Sequence, residues 1–388
     1  MRRTTRLIIV VLLVVVLIIL GTYQYLNYNP PRAIFGITPT AVPAARSPIT
    51  LDDVTVVASG LLIPWDMVWL PDGDMLVTER PGRIRRVGER NVTIVVPSSS
   101  AIFKQQEAGL LGIVLHPDFA TNNLLYVYQT KTTEEGASNY IERYTLVDNT
   151  LADRKLILGP LPGAIYHDGG KMAFGPDGKL YVTVGDATDE TLAQDLKHFN
   201  GKLLRMNDDG TPAADNPYKD ENNIATNYVW SYGHRNSQGI AWDDKGRLWS
   251  TEHGRSGALS GYDELNLIEK GKNYGWPVIE GSETKDGMEA PVFQSGADET
   301  WAPGMIVFHD GSLWFTGLRG ETLYEAVIDD SGPRPKITLR SHLRQALGRL
   351  RALEIGPDDK LYLSTSNTDG RGNPREGDDK VVRIERIG

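Results

Sequence analysis

The 388-residue chain contains no cysteine. That excludes disulfides, a thiol nucleophile, thiolate metal sites and lipid attachment through an N-terminal cysteine. Four other signals are missing: G-x-G-x-x-G after a strand, G-x-S-x-G, a P-loop and H-E-x-x-H. Their absence excludes a dinucleotide fold, a nucleophile elbow, a nucleotide-phosphate cradle and a zinc-protease helix. An oxidoreductase built on this chain therefore needs a redox group other than nicotinamide. Positive charge is in the minority, with 41 Lys and Arg against 50 Asp and Glu for a formal charge of -9. Arg2, Arg3 and Arg6 fall in the first 28 residues, so the remainder is more acidic still. Such a body argues against nucleic acid as a partner.

Glycine (40) and proline (22) are plentiful and suit strands and turns rather than helices. One phrase recurs six times: an apolar alternating stretch, a turn built on Pro-Asp-Gly or a relative, and a second apolar stretch ending near Thr or Ser. The copies are Pro64 to Glu79, Gly109 to Thr130, Gly170 to Asp186, Gln238 to Glu252, Pro303 to Gly317 and Leu350 to Ser366. Each reads as a hairpin, because Asp and Gly tolerate the positive φ of tight turns. The copies start roughly 45 to 70 residues apart, which fits one four-stranded antiparallel sheet per copy. An all-β, six-bladed β-propeller over residues 51–388 is predicted. A β-sandwich is the alternative, but sandwich strands rarely repeat one turn phrase so evenly.

The N-terminus reads differently. Three arginines precede an unbroken apolar run from Leu7 to Leu20, extended through Gly21, Tyr23 and Leu26. Positive charge before an apolar run predicts a hydrophobic helix that targets the membrane, with the rest of the chain exported. No small-x-small site follows the run directly, the nearest being Ala41 to Ala45, so residues 1–28 read as an uncleaved signal anchor in preference to a signal peptide. Residues 29–50, rich in Pro and Ala, read as a tether.

Between the hairpins lie polar segments, and in a propeller such loops gather over the central channel. The loop Tyr166-His167-Asp168-Gly169-Gly170 could present His167 as a general base. A loop histidine also serves as a hydrogen-bonded structural residue. In Tyr232-Gly233-His234-Arg235-Asn236, Arg235 and Asn236 offer a carboxylate clamp and an amide donor. Arg349 and Arg351 occupy the same lead-in of the sixth hairpin, pointing to one side in strand periodicity, and Arg319 ends the fifth. Four arginines from three blades suggest one ligand carrying several carboxylates or phosphates. Glu252-His253-Gly254 and Tyr262-Asp263-Glu264 supply hard oxygen donors of the kind Ca²⁺ prefers, although a solvated acidic turn has the same composition. The loop Asn273-Tyr274-Gly275-Trp276-Pro277 offers aromatic faces for stacking, or for packing between blades.

At these residues the chain resembles the glucose/sorbosone dehydrogenase family, soluble quinoproteins that use pyrroloquinoline quinone (PQQ), and their aldose sugar dehydrogenase branch. The resemblance runs from about Val54 to Ile387. It is carried by Gly109-Leu110-Leu111-Gly112 with His116-Pro117-Asp118-Phe119, by Gly201-Lys202-Leu203-Leu204-Arg205, by Gly233 to Asn236 with Gln238-Gly239, by Asp263 to Leu267 and by Asn273 to Pro277. The resemblance implies that His167 removes the hydroxyl proton at the sugar's anomeric carbon while hydride passes to the quinone. It implies that Arg235 and Asn236 lie against the cofactor, that Arg319, Arg349 and Arg351 hold its carboxylates, and that Glu107 and Asp186 contact it. Ca²⁺ would be bound by Glu264 and by carbonyls of Gly254, Arg255 and Tyr274. Substrate contacts would come from Glu107, Asp168 and Trp301. Two departures stand out. Glu107 replaces a glutamine of the glucose enzymes, and the stretch from Pro277 to Trp301 lacks their insertions, which implies a monomer with broad sugar acceptance. The expectation is an exported, membrane-anchored enzyme oxidising aldoses at C1 and passing electrons to an external acceptor. Rival readings are a calcium-dependent propeller lactonase and a non-catalytic binding propeller, neither of which requires an arginine clamp.

Overall fold

The computed structural model describes residues 47–387 apart from 90, 98–100, 135 and 256–260. The predicted N-terminal helix, and all but the last residues of the tether, lie outside the described residues. Six four-stranded antiparallel sheets follow one another along the chain. The first blade is β2 (Pro64–Trp69), β3 (Met75–Glu79), β4 (Arg83–Val87) and β5 (Val92–Val95). The second is β6 (Leu110–Leu115), β7 (Leu124–Thr133), β8 (Gly136–Val147) and β9 (Thr150–Pro162). The third comprises β10 (Met172–Phe174), β11 (Leu180–Val184), β12 (Lys202–Met206) and β13 (Val229–Tyr232), and the fourth β14 (Ser237–Trp242), β15 (Leu248–Glu252), β16 (Glu264–Ile268) and β17 (Phe293–Gln294). The fifth is β18 (Pro303–His309), β19 (Ser312–Gly317), β20 (Thr322–Asp329) and β21 (Lys336–His342). The sixth combines β22 (Leu350–Ile355), β23 (Leu361–Thr365) and β24 (Val381–Ile384) with β1 (Val54–Ala58), which comes from the start of the described chain. Val54 pairs with Ile384, so the two ends of the ring are joined by a strand ladder.

Each repeated phrase forms the two inner strands of a blade, and its details have a packing reason. In three of the six copies the Thr closing the second strand reaches the next blade: Thr78 Oγ1 donates to the Leu111 carbonyl at 2.6 Å, Thr251 Oγ1 to Gly304 at 2.7 Å and Thr316 Oγ1 to Arg351 at 2.7 Å. The accepting carbonyls lie where the inner strands bulge, between Leu110 and Ile113, Pro303 and Ile306, and Leu350 and Leu353. Gly304 sits in one such bulge because a Cβ there would come within 2.6 Å of both the Arg351 carbonyl and Thr316 Oγ1. The repeat is thus a device for locking blade to blade.

Apolar faces between sheets form the core, with Trp65, Trp249, Trp301 and Trp314 fully buried. The central channel is not wholly apolar. Lys171, just before β10, donates to both oxygens of Asp66 on β2 at 2.9 and 3.1 Å, and Asp66 Oδ2 also accepts the Ile113 amide at 3.2 Å. Glu354 on β22 lies near this pair, and burial pushes its carboxyl up to about 7 against the pull of Lys171.

Candidate active site

In a meander of four strands, the loop entering the inner strand and the loop between the second and third strands share one end of the blade. Glu107, His167, Asp168, Arg235, Asn236 and Arg349 belong to the first kind of loop, Asp186, Gly254, Arg255 and Arg319 to the second, and Arg351 lies one residue into β22. The ring therefore gathers them on one face of the disc.

His167 sits on that face with φ 61°, a left-handed conformation uncommon outside glycine. Its Nδ1 lies 2.7 Å from Asp186 Oδ1, which places a proton on Nδ1 and makes Nε2 the acceptor when the ring is neutral. Asp186 in turn accepts from the Thr188 amide at 2.8 Å and from Trp276 Nε1 at 3.0 Å. Burial opposes the Asp186 charge, but the hydrogen bond to His167 and the nearby charges of His167 and Arg235 hold its carboxyl below the usual range. The His167 carbonyl packs onto Gly185, where a Cβ would meet it at 1.9 Å. Asp186 thus orients His167.

Glu107 is likewise engaged by its neighbours. Its Oε1 accepts from Arg371 Nη1 at 2.8 Å and its Oε2 from the His167 amide at 3.2 Å. Burial opposes its charge, but Arg371, His167 and His253 hold the carboxyl far below the usual range. A carboxylate so engaged braces the His167 backbone. Arg371 lies 5.3 Å over the Tyr166 ring, and its amide is capped by Asp369 at 2.9 Å.

The arginines converge, in different states. Arg235 is buried and lies 5.3 Å from the Trp276 ring, while its amide donates to Glu252. Arg351 lies 5.3 Å over Trp65 and donates to the neutral Gln238, and burial pushes its guanidinium down to about 9. Arg349 is clasped by Asp369 at 2.8 Å and donates to the Leu318 carbonyl at 3.2 Å, so it meets a ligand as part of an ion pair. Burial also lowers Arg319, which is half-buried at the same face. Asn236 Oδ1 accepts the Gly169 amide at 3.1 Å, and its buried Nδ2 has no partner among the described residues. These groups suit a flat polycarboxylate: desolvated guanidinia, a spare amide donor and an indole edge.

Two substrate expectations need correction. Trp301 is 1% exposed, stacked on Phe293 and packed against Phe315 and Tyr324, so its ring belongs to the core and lines no site. Asp168 is buried behind His167, its Oδ1 accepting from Asn139 Nδ2 at 2.9 Å and the Ala164 amide at 3.0 Å. Burial pushes its carboxyl up to about 7 from an ordinary 3.8. The folded state then holds a proton that the unfolded chain releases between roughly pH 4 and 7, so this group's contribution to stability falls as pH rises through that window. Asp168→Asn is expected to flatten the dependence and to gain stability relative to the parent at pH 8, as measured by urea melts at pH 5 and pH 8.

At the proposed cation site, Glu264 Oε2 accepts from Asn266 Nδ2 at 2.9 Å. Burial and the charges of Glu252, Asp263 and Glu280 push its carboxyl well above the usual range. Asn266 Oδ1 is buried without a partner among the described residues. A hard cation would relieve both conditions, so the donors suit Ca²⁺ in kind. No cluster of three or more acidic or histidine ligands occurs among the described residues, which leaves carbonyls as the other donors. Arg255 is paired with Glu280 at 2.9 Å, and the Tyr274 hydroxyl is used by the Leu267 carbonyl, so only their backbone oxygens could serve. Tyr274 stacks on His234, whose Nδ1 meets Glu252 at 2.8 Å.

The chain belongs to the glucose/sorbosone dehydrogenase family, whose sequence profile matches residues 61–373. It is 30% identical over 349 residues to the aldose sugar dehydrogenase YliI of Escherichia coli, covering 84% of this chain and 92% of that one. It is 32% identical over 284 residues to quinoprotein glucose dehydrogenase B of Acinetobacter calcoaceticus, covering 64% and 57%. The PQQ-bound aldose sugar dehydrogenase of Streptomyces coelicolor superposes with a TM-score of 0.77 at 38% identity, covering 88% of this chain and 99% of that one.

Proposed function

We propose that this protein oxidises aldoses at C1 to the corresponding lactones with PQQ and Ca²⁺. The observation that carries the reading is the pairing of His167 with Asp186 at 2.7 Å beside the buried guanidinia of Arg235 and Arg351. The cofactor's carboxylates would be held by Arg319, Arg349 and Arg351, with Arg235 and Asn236 against its ring system. The cation would lie with Glu264 and the carbonyls of Gly254, Arg255 and Tyr274. When bound, PQQ supplies the two-electron acceptor for hydride, and Ca²⁺ polarises it.

The remaining work falls to side chains. His167 Nε2 takes the proton of the C1 hydroxyl as the C1 hydrogen leaves with its electron pair, and Asp186 stabilises the resulting imidazolium. Glu107 and Arg371 hold the His167 backbone in place. Two electrons and two protons leave the hemiacetal, giving the lactone, and an external acceptor then receives the electrons. We propose in addition that residues 1–28 anchor the enzyme on the extracytoplasmic face and that it works as a monomer.

The test is dye reduction by the purified protein with a panel of aldoses, with and without PQQ and Ca²⁺. Activity is expected only when both are present. Absence of activity across the panel together with absence of PQQ binding would overturn the reading, and lactone hydrolysis requiring Ca²⁺ alone would install the lactonase in its place.

A further inference from the structure

Arg80 drew no attention in the sequence, where it simply follows the first hairpin. It is 8% exposed. Its backbone is fixed between blades: its amide donates to the Ile63 carbonyl at 3.1 Å, and its carbonyl accepts the Leu110 amide at 2.9 Å. Its stem crosses Gly109, where a Cβ would meet Cγ at 2.5 Å. The guanidinium lies within electrostatic reach of Arg349, Arg371, Glu107 and Asp369, and Arg351 and Asp168 also feel its charge. It therefore belongs to the basic side of the site, where blades one, two and six meet.

Two carboxylates stand near Arg80, and both are engaged elsewhere. Glu107 is held by Arg371, and Asp369 by Arg349. Among the described residues, no carboxylate, carbonyl or other acceptor lies within hydrogen-bond distance of the Arg80 guanidinium, whose nitrogens keep only a little contact with solvent. Arg351 shares this condition in part, since its polar partner is the neutral Gln238. Burying an ionised guanidinium without a counter-charge is costly, and a structural arginine removes that cost by pairing. A buried, unpaired one signals that the neutralising group comes from outside the chain.

We infer that Arg80 is a ligand-binding residue, closing with Arg351 on a carboxylate of the bound polycarboxylate cofactor. This rests on the proposed function for the identity of the ligand, but not for the unpaired state of the residue. The role carries a signature that a structural arginine would not show. An arginine that holds blades together stabilises the protein without ligand, whereas an unpaired buried cation weakens it and repays the loss only when the anion arrives.

The full chain and Arg80→Met are therefore compared without ligand and with PQQ, following thermal unfolding and quenching of tryptophan fluorescence. The ligand-free variant is expected to melt at or above the parent temperature, its Kd for PQQ to rise about 10- to 100-fold, and its PQQ-induced thermal shift to shrink. Arg80→Lys, which keeps charge but not the fork, is expected to fall between. A variant that melts lower without ligand and binds PQQ as the parent does would overturn the inference and make Arg80 structural. Benzene-1,3,5-tricarboxylate serves as a second probe. If the parent binds this tricarboxylate but not PQQ, and Arg80→Met loses the binding, the cofactor assignment falls while Arg80 stands. If the parent binds neither, the inference falls too.

Discussion

His167→Ala is expected to lower kcat for aldose oxidation by about 10²- to 10⁴-fold while leaving PQQ affinity nearly unchanged. The separation follows from geometry. The imidazole is held by Asp186, whereas the groups suited to carboxylates lie on other blades. Steady-state kinetics together with equilibrium PQQ binding checks both halves, and a variant that loses PQQ binding would refute the assigned role. Asp186→Asn should behave as a milder version. It retains an oxygen near Nδ1 but removes the charge that stabilises the imidazolium, so the loss should appear in kcat more than in KM.

The second large effect concerns stability. Lys171→Ala should destabilise the fold by about 3–5 kcal/mol, because it leaves the Asp66 carboxylate buried in the channel without its cation. The loss should be greater at pH 8 than at pH 5. Burial already raises the Asp66 carboxyl, and without Lys171 the folded state can relieve the charge only by taking up a proton. Lys171→Met with Asp66→Asn should recover much of the loss, since the pair is removed together. Urea denaturation of the three proteins at both pH values provides the check, and an additive double variant would show that the two groups do not interact.

The inner hairpins were legible because turn chemistry and strand alternation are local, and in three of the six phrases the closing Thr proved to be an interblade donor, at Thr78, Thr251 and Thr316. Outer strands such as β17 (Phe293–Gln294) are too short to imprint a period. His167, Arg235 and Arg351 were legible because they interrupt the repeat at its lead-ins. What escaped was pairing between blades. Arg371 with Glu107, Lys171 with Asp66 and Gln194 with Asn273 and the Trp276 carbonyl join residues far apart in the chain, so no local pattern carries the pairing. For Trp301 the resemblance implied a substrate contact, whereas its ring stacks on Phe293 in the core.

The ladder between β1 and β24 has a kinetic consequence. Blades one to five can each form from contiguous chain, but the sixth needs Val54–Ala58 and Val381–Ile384 at the same moment. The entropy of such a closure grows only logarithmically with the intervening length, so it is affordable at equilibrium yet slow to find. Until it is found, β24 presents an unpaired edge, and β1 carries Val56 and Val57 with more than a third of their surfaces bare. The interval between synthesis of the last strand and capture of the first is when this molecule is most able to pair with another copy of itself.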